Sequence, residues 1–361
     1  MRKLLFIAVF PLLLFFCEKK ITLVKEGKPQ CVIVVEQEPD SIVQYSSEFL
    51  RKYLKEMTGA DIEIRKEPVT TQSDKIILKN LKRFQEQDLE EDEFFIIAEK
   101  NTLTIVGGPD KGVLYGVITL LEQFGGCRAL APGSIYVPQK NDFYIPKVKI
   151  HEKPAANYRV VNGQFCADQD YMDWRRLDQI NDMFAKGYYV HTFERLVPRE
   201  KYFQEHPEYF AEMNGRRRHQ QLCLSNPEVM KIVKDRLREE MEKQPEKIVW
   251  SVSQNDNFEY CQCPECSKII EEEKAPSGTI IRFVNEIARE FPDKIISTLA
   301  YQYSCQAPVK TKPEKNVQIM LCTIELNRSL PIETDSQSAS FVKDITDWGK
   351  ISNHIYLWDY T

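Results

Sequence analysis

The chain has 361 residues, 42% of them hydrophobic, and a net charge of −5. That is enough apolar material for a packed core and a length that suits two domains, so a disordered chain is excluded. Its basic residues are dispersed, and the densest cluster, "GRRRH" at Gly215–His219, reads as a turn of solvated charge, so no nucleic-acid partner is expected.

The chain opens with "MRKLLFIAVFPLLLFFC". Arg2 and Lys3 precede an apolar run from Leu4 to Phe16 that is short for a bilayer span and has the shape of a signal-peptide core. Cys17, followed by polar "EKK", stands where a bacterial lipoprotein signal places its lipid-modified cysteine, although Phe16 is bulkier than the residue usual before it. Residues 1–17 are therefore expected to direct export, with Cys17 lipidated. The protein would then sit in the cell envelope, anchored to a membrane at the outer or periplasmic surface. Of the 10 cysteines, those beyond Cys17 are odd in number, so at least one is free, metal-bound or buried.

From Ile21 to about Ile150 the pattern is mixed. "CVIVVE" is a strand, and "DSIVQYSSEFLRKYLKEMTGA" is a helix, with Ile42, Tyr45, Phe49, Leu50, Tyr53, Leu54 and Met57 at helical spacing between Asp40 and Gly59. "DIEIR", "KIILK", "FFIIAE" and "TLTIVGG" read as strands, and "PDKGVLYGVITLLEQFGGC" as a second helix. Two helices on one sheet predict a small α+β sandwich over 21–150.

From Asn157 strands and helices alternate. "YRVVNGQ", "YYVHTF", "QLCLS", "KIVWSVSQ", "IISTLAYQY", "VQIMLCTIE" and "IYLWDY" read as strands, with helices in most of the gaps between them, among them "DWRRLDQINDMFAKG". Such alternation predicts a parallel sheet of the (β/α)8 TIM-barrel type. Residues 157–361 number 205, fewer than the ~250 typical of that barrel, so an incomplete barrel ending after strand seven is expected.

Two stretches carry a resemblance. "FFIIAEKNTLTIVGGPDKGVLYGVITLLEQFGGCRALAPG" resembles the small domain that precedes the barrel in bacterial α-glucuronidases and β-N-acetylhexosaminidases. "HPEYFAEMNGRR", "QLCLSNPEV", "SVSQNDNFEYCQCPEC", "TLAYQY" and "LWDY" resemble a bacterial domain-of-unknown-function family, common in Bacteroides-type exported lipoproteins and related to those hydrolases. The resemblance implies a glycoside hydrolase acting on an oligosaccharide or polysaccharide.

In a barrel the functional groups sit at the C-terminal ends of strands, and glycoside hydrolysis needs two carboxyl groups flanking the scissile bond. Strand ends offer Asp256, Glu325 and Asp359. The resemblance implies Asp256 as proton donor, after the fourth strand, with Glu325 and Asp359 competing to be base or nucleophile. Burial beside Tyr260 would suit the donor. Asn255, Asn257, His191, Arg195, Tyr301, Trp358 and Tyr360 are the candidate sugar-binding residues, with Tyr260 and Tyr303 as further rings on which sugar faces can stack. In the same loop, Cys261, Cys263 and Cys266 supply three thiols where structural zinc takes four ligands. They are expected to brace the loop as disulfides or thiols, so no metal and no cofactor is anticipated. Zinc is the other reading, with Cys223, Cys305 or Cys322 as the neighbour. The competing function is a non-catalytic carbohydrate-binding surface lipoprotein, and behind it a structural or adhesion protein.

Overall fold

The structure, a computed structural model, describes residues 20–163 and 167–360; Cys17 and the signal-like segment lie outside the described residues. The chain divides into two compact units between Asp178 and Gln179.

In the first unit, strands β1 (Ile21–Lys25), β2 (Cys31–Val35), β3 (Ile64–Lys66), β4 (Asp74–Asn80), β5 (Phe94–Glu99), β6 (Thr102–Gly107), β7 (Phe143–Ile145) and β8 (Val148–Glu152) accompany helices α1 (Ser41–Thr58) and α2 (Gly112–Leu120). Six strands form one mixed sheet in the order β8-β5-β6-β4-β2-β3, and β1 pairs antiparallel with β7. Asp40 caps α1 by accepting from the Val43 N–H at 2.8 Å, and Gly59 ends it at φ 74°. The buried stripe of α1 (Val43, Phe49, Leu50, Tyr53, Leu54 and Met57) packs with α2 and one sheet face into a single core.

The described residues of 157–178 (157–163 and 167–178), read from sequence as the opening of the barrel, pack into this first unit. Tyr158–Gly163 form no strand: the Arg159 N–H is spent on Asp178 at 2.8 Å, and its guanidinium pairs with Asp92 at 2.7 Å. The long helix expected over 173–187 is also broken. It becomes two short turns, Gln169–Trp174 and Ile180–Met183, separated by Arg176 at φ 55°. Trp174 is buried against Tyr53, the ring centroids 4.9 Å apart.

The second unit contains β9 (Phe210–Met213), β10 (Arg216–Leu222), α3 (Pro227–Lys243), β11 (Val249–Ser251), α4 (Pro264–Glu273), α5 (Ser277–Glu290), β12 (Ile295–Ala300), β13 (Val317–Cys322), α6 (Ala339–Ile351) and β14 (Ile355–Trp358). Four of the seven predicted strands form a parallel sheet in the order β11-β12-β13-β14; the sheet is open. "YYVHTF" runs beside β11 without forming a strand. Phe184 bridges Val249, the Ser251 N–H donates to Tyr188 O at 3.1 Å, and the Thr192 N–H donates to Ser253 O at 3.1 Å. Gly187 at φ 83° and His191 at φ 54° take this segment out of extended geometry. "QLCLS" overlaps β10, which pairs antiparallel with β9 across Asn214-Gly215, both at positive φ. "GRRRH" is thus a hairpin turn and its outgoing strand, because Asn-Gly supplies the left-handed pair a tight turn requires.

The register Ser251↔Ser297↔Gln318 and Leu299↔Met320↔Tyr356 assigns the two faces. Ile296, Ile319 and Leu321 point to the core beneath α3, α5 and α6, which Trp250 and Trp348 share. Ser251, Ser297, Gln318, Leu299, Met320, Cys322, Tyr356 and Trp358 occupy the other face, since side chains alternate along a strand.

One buried carboxylate locks α4 and α5 to the loop before β13. Glu273 is fully buried and accepts from Arg282 Nε at 2.9 Å, Thr311 Oγ1 at 2.5 Å, and the Lys310 and Thr311 amides at 2.9 and 3.0 Å. Burial alone would raise its pKa, but the Thr311 hydroxyl and amide, Arg282 and the Lys310 amide outweigh it, bringing the carboxyl from 4.5 down to about 2. The folded value lies below the unfolded one, so the stabilisation is complete above pH 4.5 and lost as pH falls towards about 2. Glu273→Gln should cost about 3 kcal/mol at neutral pH, the lower end for a broken buried pair because Arg282 keeps Glu272 at 2.9 Å. Thermal unfolding of both proteins across pH checks this: the gap should close on acidification, and a constant gap would contradict it.

Candidate active site

Beyond β11 the chain runs buried through Val252, Ser253 and Gln254, then emerges as the loop Asn255–Tyr260. Gln254 ties the ends of β11 and β12 together, donating to Ser304 Oγ at 2.6 Å and Tyr301 O at 3.2 Å. Asp256 is exposed at the tip of the turn. Its Oδ1 accepts from the Tyr301 hydroxyl and the Gln302 amide, each at 3.1 Å, and among the described residues Oδ2 accepts nothing. The burial expected for Asp256 is not found, and Tyr260 instead packs on Tyr303 with centroids 5.3 Å apart.

The other two acids differ in constraint. Asp359, exposed after β14, accepts from the Thr323 hydroxyl at 2.5 Å. Glu325, exposed after β13, shares a field with Asp256. Burial and the neighbouring Cys322 raise the Tyr360 phenol, and the carboxylates of Asp256 and Glu325 raise it further. The Cys322 thiol is raised by burial and then by Cys305, Glu325 and Asp256. Asp256 and Glu325 therefore bear on the same two groups.

Those groups belong to an aromatic floor. A small cavity is lined by Val190, His191, Leu299, Tyr301, Cys322, Trp358 and Tyr360. Trp358 stacks on Tyr189 at 5.3 Å and lies 6.2 Å from Tyr360. Tyr301 is buried, and its phenol is pushed up to about 12 by that burial and by the hydrogen bond to Asp256. His191 reaches the floor through its left-handed backbone, with Nδ1 2.8 Å from Gln254 O and its ring 6.0 Å from Tyr301.

Three expected sugar-binding residues do other work. Arg195 turns away from the floor: its guanidinium lies over the Tyr188 ring at 4.9 Å, and a Cβ at Gly187 would meet it at 2.9 Å. Asn255 accepts from the Glu194 N–H at 3.2 Å and donates to Gln220 O at 2.8 Å. Asn257 accepts from Gln221 Nε2 and the Glu259 N–H, both at 3.0 Å. Both amides are consumed in shaping the loop, because a turn without a ladder must find side-chain partners for its backbone.

Sequence reasoning missed the partners. Gln221, buried at the end of β10, donates to Asn255 O at 2.8 Å and accepts from the Asn255 N–H at 3.1 Å. Its pairing with an amide-rich turn is visible only in the fold. Arg328 was missed as well; it caps the floor with its guanidinium over Tyr360 at 5.5 Å and bonds to Thr323 O at 2.8 Å.

The cysteines form one cluster. Cys223, Cys261, Cys263 and Cys266 are all buried, and their four sulfurs lie within 4.8 Å of one another. No disulfide links the described cysteines, and neither Cys305 nor Cys322 joins the cluster.

A family model described as "Domain of unknown function (DUF4838)" matches residues 130–361, well over half of the chain. The chain belongs to the DUF4838 family. A second model, "Glycosyl hydrolase family 67 N-terminus", matches residues 21–120 of this DUF4838 protein. Among solved structures, the GH20 β-N-acetylhexosaminidase from Streptomyces coelicolor A3(2) is 13% identical, with 95% of this chain and 72% of that one covered at a TM-score of 0.50. The Flavobacterium johnsoniae chitobiase is 14% identical over 95% of this chain and 57% of that one, TM-score 0.51. A family GH115 4-O-methyl-α-glucuronidase with specificity for decorated arabinogalactans is 11% identical, covering 94% and 55% at a TM-score of 0.50. This DUF4838 chain spans little more than half the length of the last two. At such identities the likeness is one of fold: a mixed α/β, glycoside hydrolase-like architecture. The comparison with curated proteins finds no match.

The loop geometry gives a direct test. Gln221→Ala leaves the Asn255 N–H and C=O without their buried partner and should cost about 2 kcal/mol, as buried hydrogen-bonding groups do when orphaned. Denaturant unfolding measures it, and a loss below about 0.5 kcal/mol would mean that solvent replaces the clamp.

Proposed function

We propose that the protein is an exported glycan-processing hydrolase of the glycoside hydrolase type, with its site at the C-terminal ends of β11–β14. The observation that carries this reading is Asp256. Its Oδ1 is fixed by Tyr301 and Gln302 while Oδ2 accepts nothing from the described residues, beside a floor of Tyr301, Trp358 and Tyr360. Apolar sugar faces stack on such rings, and a carboxyl group beside them is placed to act on the glycosidic oxygen. In this reading Asp256 is the proton donor. Glu325 is the preferred second carboxylate, because it shares the field of Asp256, whereas Asp359 is tied to Thr323. His191 and Tyr360 contact the sugar. The open parallel sheet corresponds to part of a TIM-type barrel preceded by a hexosaminidase-like small domain. The substrate class is a complex glycan with terminal N-acetylhexosamine or uronic acid, by analogy with the hexosaminidase and glucuronidase structures of similar fold.

The test is hydrolysis of aryl glycosides of N-acetylglucosamine and glucuronic acid, together with glycan-array binding. Asp256→Asn should lower turnover by ~10²-fold or more and leave glycan binding within a few-fold. Unchanged turnover removes Asp256 from the chemistry. Glycan binding without hydrolysis by the unaltered protein favours the second reading, a carbohydrate-binding lipoprotein, which the exposure of all three acids would suit.

Export and anchoring rest on Arg2, Lys3, the apolar run and Cys17. Cys17→Ser should abolish incorporation of labelled fatty acid into the protein in a bacterial host, since Cys17 carries the lipid in this reading. Undiminished labelling of the variant would refute lipidation at Cys17.

A further inference from the structure

The four-cysteine cluster is built from three places in the chain. Cys223 follows β10, Cys261 lies in the loop after Asp256, and Cys263 and Cys266 open helix α4, with Cys263 at its N-cap and Pro264 in its first turn. All four side chains are buried, and every pair of sulfurs lies within 4.8 Å. The Cys223 and Cys263 sulfurs are 3.7 Å apart. A disulfide holds its sulfurs at about 2.0 Å and gives no reason for two bridges to converge on one point. A tetrahedral ion with bonds of about 2.3 Å sets its sulfurs about 3.8 Å apart and requires all four to converge.

We propose that Cys223, Cys261, Cys263 and Cys266 hold a single zinc ion in an all-thiolate tetrahedral site. Four sulfur ligands and burial select a structural rather than a catalytic ion, since no position is left for water or substrate. A cubane iron–sulfur cluster would interpose several atoms and hold the sulfurs farther apart than 4.8 Å. The surroundings fit a centre with net negative charge. The Glu212 N–H donates to Cys261 Sγ at 3.3 Å, and Arg217 Nη1 stands 4.0 Å from the same sulfur. The Ser225 hydroxyl lies 3.4, 3.6 and 3.2 Å from the sulfurs of Cys223, Cys263 and Cys266. The first turn of α4 turns its positive end towards Cys263 and Cys266. Such outer groups neutralise thiolates and fix their orientation.

The ion would fasten the β9–β10 hairpin to the loop that carries Asp256, a role independent of any activity. On binding, each cysteine gives up its S–H proton to solvent and the zinc exchanges its waters for sulfurs, with no change of redox state.

The test is elemental analysis of the full chain, expressed in zinc-supplemented medium, freed of any affinity tag and purified without chelator. About one zinc per chain is expected, released in step with four thiols on titration with an organomercurial. Cobalt substituted for zinc should give the visible spectrum of a tetrahedral tetrathiolate site. Cys223→Ser and Cys261→Ser should each lower the zinc content at least about fivefold, whereas Cys305→Ser keeps one equivalent. Because the first two variants may fail to fold, the mercurial titration of the unaltered chain decides. Metal below about a tenth of an equivalent overturns the site, whether the four thiols prove free or paired as two disulfides. One iron per chain overturns the assignment to zinc.

Discussion

The position of Asp256 depends on a loop that has no ladder of its own. Past β11 the backbone leaves the sheet, and its polar groups must be satisfied by side chains or by water. Gln221 supplies both halves of that demand at Asn255, and Asn255 and Asn257 return their own amides to Gln220 O, Glu194 and Glu259. The hairpin β9–β10 is therefore the jig for the candidate acid, and the sulfur cluster lies at the next contact along the same seam, where the Gln262 N–H also donates to Glu212 O at 2.7 Å. An amide clamp of this kind constrains without charge, which leaves the local field to the carboxylates themselves.

The parallel sheet explains why acids and rings meet. Each strand carries mostly apolar side chains to the helices on one face; the other runs from a polar level through Leu299, Met320 and Tyr356 towards the groups at the strand ends. Ser251, Ser297 and Gln318 share one level, and Tyr301, Cys322 and Trp358 lie nearer the C-terminal ends. Because the strands are parallel, all their C-terminal ends open on one side, and the loops bearing Asp256, Glu325 and Asp359 emerge together there. His191 joins them by accepting a left-handed backbone, the kind of local cost that persists where the surroundings fix it.

Much of this was legible because periodicity survives in single elements. The helix over 41–58, the strands around 249–251, 295–300, 317–322 and 355–358, and the helices at 227–243 and 277–290 all announce themselves by apolar spacing and caps. What failed did so for nameable reasons. "YRVVNGQ" has the composition of a strand, yet Arg159 is claimed by Asp92 and Asp178. "YYVHTF" carries β-branched and aromatic residues, but Gly187 and His191 set it into turns. Asn214-Gly215 was a hairpin signal in plain view, hidden by the arginines that follow. Of the candidate site, the acids and rings were readable from their places at strand ends. Asn255, Asn257 and Arg195 were misplaced because sequence shows a polar group without showing which backbone atom will claim it. The fourth cysteine could be named only as one of several, since Cys223 is separated from Cys261 by a helix and a strand.

The exposure of the acids also bears on mechanism. Acid–base chemistry at a glycosidic bond needs a site from which water is removed, and neither Asp256 nor Glu325 is shielded in the free protein. A sugar ring laid on Trp358 and Tyr360 would itself cover them, so on the proposed reading the substrate completes its own low-dielectric environment. The two carboxylates would meet that event differently. Asp256 already has one oxygen fixed by Tyr301 and Gln302, so it loses little freedom when a substrate arrives. Glu325 has no such anchor among the described residues and must be ordered by the substrate or by an incoming cation. Arg328, turned over Tyr360 and bonded to Thr323 O, is a cation carried on the same loop after β13. The site is thus preorganised on the β11 side and adaptable on the β13 side. That asymmetry suits a fixed proton donor facing a partner whose position is set by the glycan.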